Sequence, residues 1–232
     1  MRPEPGAVIF DLDDTLYPFR RFRLSGFAAA ADALERRTGL DRRLGFRAMH
    51  RATRGVSSGQ EIQACLAQYD LPSSLAGDLI DLLRHHEPQL RLPSTSRRLL
   101  VRLRAEGWRL GVLTNGLPSI QRRKVAALGI APLVDSVIYA AESGHGAGKP
   151  DPDVFVDAAR RLGVSPARTI MIGNDEHTDI GGALLSGMHA VRVDVWLPQT
   201  PATRAHAVVT RLNEIPTLLR RLVLEDFARH AA

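Results

Sequence analysis

The chain has 232 residues, 44% hydrophobic and 24% charged, which suits one α/β domain with an insertion, or two modest domains, and excludes a disordered or fibrous class. Its net charge of +6 comes from scattered arginines without interleaved aromatics, so no nucleic-acid surface is expected; only Lys124 and Lys149 are lysines. No apolar run approaches a membrane span, no signal-peptide centre is visible, and the single cysteine, Cys65, excludes an internal disulfide. A reducing cytoplasm is the expected setting.

In chain order, Ala7-Val8-Ile9-Phe10 is a short apolar run of the kind that fills a buried strand. Asp11-Leu12-Asp13-Asp14-Thr15 follows, with three carboxylates where that strand must end. Alternation along a strand would put Asp11 and Asp13 on one side if the extended geometry continues. Such a pair repels and needs a cation, a shared proton or open solvent. Mg²⁺ suits it, because that ion prefers one or two carboxylates plus water and phosphate oxygens. A plain acidic turn is the competing reading, since Asp favours turns. Pro18 ends the strand. From residue 24 to 90 the apolar spacing turns helical, through four segments centred on Phe27 to Leu34, Leu44 to Arg51, Ile62 to Tyr69 and Leu75 to Leu83.

From Pro93 the rhythm alternates. Helices are expected over 96–106, over 119–128 with Ser119 as the cap, over 152–162, over 179–186 and over 214–227. Strands are expected over 109–113, 136–140, 169–172, 190–193 and 206–209. Strands separated by helices imply a parallel sheet covered on both faces, an α/β Rossmann-like architecture. The domain expectation is a core of residues 1–17 and 92–232, with residues 18–91 as an inserted helical cap.

Ligands of an open parallel sheet bind outside the carboxyl ends of its strands. Four polar clusters lie at such ends: Asp11 to Thr15, Thr114-Asn115-Gly116, Gly148-Lys149-Pro150 and Asn174 to Asp179. An acidic turn does not predict that convergence; a phosphoryl-transfer site does. Asp11 would attack phosphorus, and Asp13 would protonate the leaving oxygen and then deprotonate water. Thr114 and the N–H of Asn115 would hold a phosphoryl oxygen, and Lys149 would supply a compact charge beside the carboxylate.

These motifs resemble the haloacid dehalogenase superfamily. The first is Asp11-Leu12-Asp13-Asp14-Thr15, the second is Thr114 of Gly111-Val112-Leu113-Thr114-Asn115-Gly116, the third is Lys149 of Lys149-Pro150-Asp151-Pro152, and the fourth is Gly173-Asn174-Asp175-Glu176-His177-Thr178-Asp179. The resemblance implies a Rossmann-like core with a helical cap after the first motif. It also implies Mg²⁺ held by Asp11, the backbone carbonyl of Asp13 and an acid of the fourth motif. That family often carries an acid directly after the fourth-motif glycine, where this chain has Asn174. Asp175 is the expected ligand, Asn174 the alternative through its amide oxygen, and Asp179 supports the metal or Lys149. Dehalogenase members lack an acid at the place of Asp13, because halide needs no proton.

The expected function is a Mg²⁺-dependent phosphatase of a small phosphorylated metabolite, acting through an aspartyl-phosphate, as a monomer or homodimer without membrane or nucleic-acid partners. A phosphomutase, a dehalogenase or a catalytically silent binding module are the alternatives. Gly144 to Lys149 is no P-loop, because Ser143 and Pro150 stand where that motif needs glycine and a hydroxyl residue. His85-His86-Glu87 reads as a helix end, Cys65 as core, and His177 and His145 as loop residues.

Overall fold

The computed structural model describes residues 6–55, 59–197 and 202–222. The chain divides into two compact units, Met1–Pro18 with Arg91–Ala232, and Phe19–Leu90.

Among its described residues Phe19–Leu90 carries four α-helices, α1 (Arg20–Thr38), α2 (Arg42–Ala52), α3 (Glu61–Gln68) and α4 (Ala76–His85). Phe27, Ala30 and Leu34 recur at helical spacing on α1 and pack with Met49, Ile62, Cys65 and Leu79 into a core of this unit's own. Cys65 lies inside that core with its thiol 3.7 Å from the Gly45 carbonyl. Burial pushes the thiol up to about 11, which makes it inert. His85 and His86 turn their Nδ1 atoms to the Asp81 and Leu83 carbonyls of α4.

The other unit is a six-stranded, wholly parallel sheet of β1 (Ala7–Phe10), β2 (Arg109–Thr114), β3 (Ser136–Tyr139), β4 (Thr169–Gly173), β5 (His189–Val193) and β6 (Ala207–Val209). The spatial order is β3-β2-β1-β4-β5-β6. Among the described residues five α-helices accompany it: α5 (Ser94–Ala105), α6 (Pro118–Leu128), α7 (Pro152–Arg161), α8 (Gly182–Leu185) and α9 (Ile215–Leu222). All four residues of β1 are buried. Ala7 and Ile9 face a core with Phe155 and Ala159 of α7 and Ala183 of α8, and alternation sends Val8 and Phe10 to the opposite face. The strand order reverses direction at β1 and β4, so the carboxyl end of β1 lies at the switch point where such sheets bind ligands.

Two expectations need correction, and a third runs past the described residues. Ser119 does not cap α6; Leu117 holds the cap position and Pro118 opens the helix, where a missing N–H does no harm. The helix expected over 179–186 starts earlier, as a π-helical turn over Glu176–Gly181 leading into α8. Asp175 begins it by accepting the His177 and Thr178 N–H groups. The closing helix runs Ile215–Leu222, and its expected continuation to 227 lies outside the described residues.

Gly182 sets the approach of α8. A Cβ there would overlap the Phe155 ring and lie 3.0 Å from the Pro150 carbonyl, next to Lys149. Phe155 is fully buried and cannot step aside. Gly182→Ala is expected to cost about 1–3 kcal/mol in urea unfolding. Gly77→Ala, in open space on α4, should be neutral or stabilising by up to about 1 kcal/mol. Equal losses in the two variants would contradict the packing argument.

Candidate active site

The site forms where β1 ends. Asp11 extends the ladder by one bond, its N–H donating to the Ile172 carbonyl at 2.9 Å. The chain then turns tightly: Leu16 N–H returns to the Leu12 carbonyl at 3.1 Å, and Asp14 takes a left-handed φ of 54°. Asp tolerates that backbone better than most residues, which makes Asp14 the turn residue. Ser96 Oγ donates to the Leu16 carbonyl at 2.5 Å and Trp196 Nε1 to the Thr15 carbonyl at 3.1 Å, pinning the loop from two other elements.

Extended geometry stops at Phe10, and the carboxylates of Asp11 and Asp13 part company. They take different lysines. Lys149 Nζ donates to Asp11 Oδ1 at 2.7 Å, to Asp179 Oδ1 at 2.6 Å and to the Leu113 carbonyl at 3.2 Å, which uses all three ammonium hydrogens. Asn115 fixes the Lys149 backbone with both ends of its carboxamide: Oδ1 accepts the Lys149 N–H at 2.8 Å and Nδ2 donates to the Lys149 carbonyl at 3.0 Å. The Asn115 side chain is therefore a clamp, and its backbone N–H remains the group expected to meet a ligand.

Asp179 does more than face Lys149. Its Oδ2 accepts the N–H groups of Asn174 and Asp175 at 3.1 and 3.0 Å. A Cβ on Gly173 would overlap this carboxylate, so the position requires glycine. Asp175 turns Oδ1 into the cap of the π-helical turn. Burial acts against its charge, but the Thr178 and His177 donors outweigh it and hold the carboxyl below the usual range. Asn174, by contrast, looks toward Asp11: the Thr15 hydroxyl lies 3.2 Å from Asp11 Oδ2 and 3.4 Å from Asn174 Oδ1. Among the described residues no three His, Cys, Asp or Glu side chains gather as a metal cluster.

Asp13 is held on both oxygens. Tyr17 Oη donates to Oδ1 at 2.5 Å, while Lys124 Nζ at 2.7 Å and Gln121 Nε2 at 3.4 Å reach Oδ2. Burial and then Asp13 hold the Tyr17 phenol far above its ordinary range, so it is a neutral donor. Thr114, the last residue of β2, is buried. Tyr17, Gln121 and Lys124 escaped the sequence reading. The signal for the last two was available: they are polar, three residues apart on one helix, and one is among the chain's two lysines.

The buried triad is electrostatically unbalanced, with two carboxylates on one ammonium. Burial, helped by Asp179 and opposed by Lys149, pushes the Asp11 carboxyl up to about 7. The same two carboxylates overcome burial and hold Lys149 above its ordinary range. A carboxyl raised in the folded state adds stability that is present below its unfolded value of 3.8 and lost as pH rises through about 7. In metal-free protein, Asp11→Asn should therefore stabilise by about 1–3 kcal/mol at pH 8 and by almost nothing at pH 4. Lys149→Met should destabilise by about 3–5 kcal/mol at pH 8, since it strands both carboxylates. Urea melts at the two pH values check both signs.

A sequence model of the haloacid dehalogenase-like hydrolases matches residues 5–187. The glyceraldehyde 3-phosphate phosphatase of Methanothermobacter thermautotrophicus is 32% identical over 217 residues, covering 86% of this chain and 89% of the relative. The phosphoserine phosphatase of Thermus thermophilus is 38% identical over 117 residues, 50% of this chain and 46% of the relative. Among solved structures, the magnesium-bound HAD-hydrolase YfnB of Bacillus subtilis superposes with a TM-score of 0.67 at 20% identity, over 93% of this chain and 99% of that one; at that identity the likeness concerns the fold. The chain belongs to the haloacid dehalogenase-like hydrolases and is a phosphatase-like member of that family.

Proposed function

We propose that the chain hydrolyses small phosphate monoesters with Mg²⁺ through a covalent aspartyl-phosphate on Asp11. The observation that carries this reading is the separation of the two carboxylates: Asp11 is bonded to Lys149 and Asp13 to Lys124, so one can act as nucleophile while the other handles protons. A dehalogenase would have no use for the second.

In the first step an Asp11 carboxylate oxygen attacks phosphorus, the bond from phosphorus to the ester oxygen breaks, and Asp13 gives that oxygen a proton. In the second, Asp13 takes a proton from water as the water oxygen attacks phosphorus, and the Asp11 carboxylate leaves unchanged. Thr114 Oγ1 and the Asn115 N–H donate to a phosphoryl oxygen. Lys149, held by Asp179 and by Asn115, supplies positive charge beside the nucleophile. The donor set suits Mg²⁺: hard oxygens only, from Asp11 Oδ2, Asn174 Oδ1 and the Asp13 carbonyl, the first two gathered at the Thr15 hydroxyl. We assign the fourth-motif ligand to Asn174, since Asp175 Oδ1 caps the adjacent turn. When bound, Mg²⁺ would neutralise charge between the carboxylate and the phosphoryl oxygens.

We put phosphorylated C3 compounds first in a substrate panel, because the 32% identical relative is named for glyceraldehyde 3-phosphate. The test is phosphate release from p-nitrophenyl phosphate and from that panel. The wild-type chain should turn over with Mg²⁺, lose activity in EDTA and recover it when Mg²⁺ is restored. Asn174→Ala should weaken the apparent Mg²⁺ affinity by about tenfold or more, and Asp175→Ala by less. Activity retained in Asp11→Asn would refute the nucleophile assignment.

A further inference from the structure

The chain carries 31 basic residues and only two of them are lysines, Lys124 and Lys149. Both are buried, and both meet an aspartate at the carboxyl end of β1: Lys149 meets Asp11 and Lys124 meets Asp13. Lys149 is accounted for by the phosphoryl site. Lys124 has no role in the mechanism above. A compact ammonium on a flexible stem, where the rest of the chain uses the planar guanidinium, marks a position chosen for a point contact rather than for surface charge.

The surroundings give that contact a purpose. Lys124 and Gln121 sit one turn apart on α6 and project to one carboxylate oxygen of Asp13, and the Tyr17 hydroxyl takes the other. Gln121 is itself anchored, its Nε2 donating to the Asn115 carbonyl at 2.6 Å. Asn115 in turn grips Lys149. The side chain of Asp13 is 26% exposed while that of Lys124 is 3% exposed, so the carboxylate meets solvent on one side and a buried, fixed donor on the other. Two χ angles of Asp13 are thus set from α6, an element 111 residues away in sequence.

We propose that Lys124, with Gln121, is the positioning residue pair for the acid/base carboxylate Asp13. It fixes the rotamer from which Asp13 serves the ester oxygen; it does not touch the substrate. This rests on the phosphatase reading above. A group that only stabilised the fold would slow all esters alike. A group that aims the proton donor matters in proportion to how much the leaving oxygen needs a proton.

The test compares kcat/KM for phenyl phosphate and p-nitrophenyl phosphate, two esters of nearly one shape. The p-nitrophenolate is the weaker base and needs less help, and kcat/KM reports the first irreversible step. Lys124→Met and Gln121→Leu are measured beside Asp13→Asn and the double variant Asp13→Asn/Lys124→Met, each checked for native circular dichroism. Expected is a loss on phenyl phosphate about tenfold larger than on p-nitrophenyl phosphate in Lys124→Met, the same direction with a smaller ratio in Gln121→Leu, and little further loss in the double variant over Asp13→Asn. If Lys124→Met does not fold, the Gln121→Leu ratio decides alone. Equal losses on both esters, no loss, or additive losses in the double variant would overturn the proposal while leaving the phosphatase reading intact. A wild-type chain inactive on both esters would overturn the two together.

Discussion

One ammonium shared by two buried carboxylates organises this protein. Lys149 donates to Asp11 and Asp179 from inside the sheet's carboxyl rim, where charges are expensive to leave unpaired. Much of the nearby sequence makes that contact possible. Gly173 leaves room for the Asp179 carboxylate, Gly182 lets α8 settle beside Pro150, and Asn115 locks the Lys149 backbone. The triad still carries one negative charge too many, and burial loads that deficit on Asp11. A group in that position gains from any cation that arrives, and loses part of its solvation penalty when it does.

The second carboxylate lives under different rules. Asp13 is half-open and saturated with donors from Tyr17, Gln121 and Lys124. Two acids two residues apart are thereby given separate environments, one dry and short of positive charge, the other partly wet and well supplied with it. Separation of that kind lets one sheet edge run nucleophilic and proton-transfer chemistry side by side.

The strands and helices of both units were legible in the sequence because their patterns are strong: alternating short apolar runs after Pro93, and helical spacing in α1 to α4 before it. The gathering of Asp11, Lys149 and Asp179 was legible too, because parallel topology sends the ends of all such strands to one rim. What stayed hidden was local. Nothing in Asn174-Asp175 said which side chain would cap a helix, since that depends on where the turn begins; Asp175 began it three residues before the expected start, at Glu176. Asn115 was expected to serve a ligand through its backbone N–H, and nothing in the sequence said that its side chain would clamp the Lys149 backbone. Lys124 and Gln121 lie inside an ordinary helix, and only the rarity of lysine set one of them apart.

The central claim is that Asp11 becomes covalently attached to phosphate. When enzyme is mixed with Mg²⁺ and p-nitrophenyl phosphate and quenched in acid within one turnover, borohydride would reduce an acyl phosphate to homoserine at the phosphorylated residue, readable by peptide mass spectrometry. The account predicts homoserine at position 11. Reduction at another carboxylate, or phosphate release at full rate without any labelled residue, would contradict it.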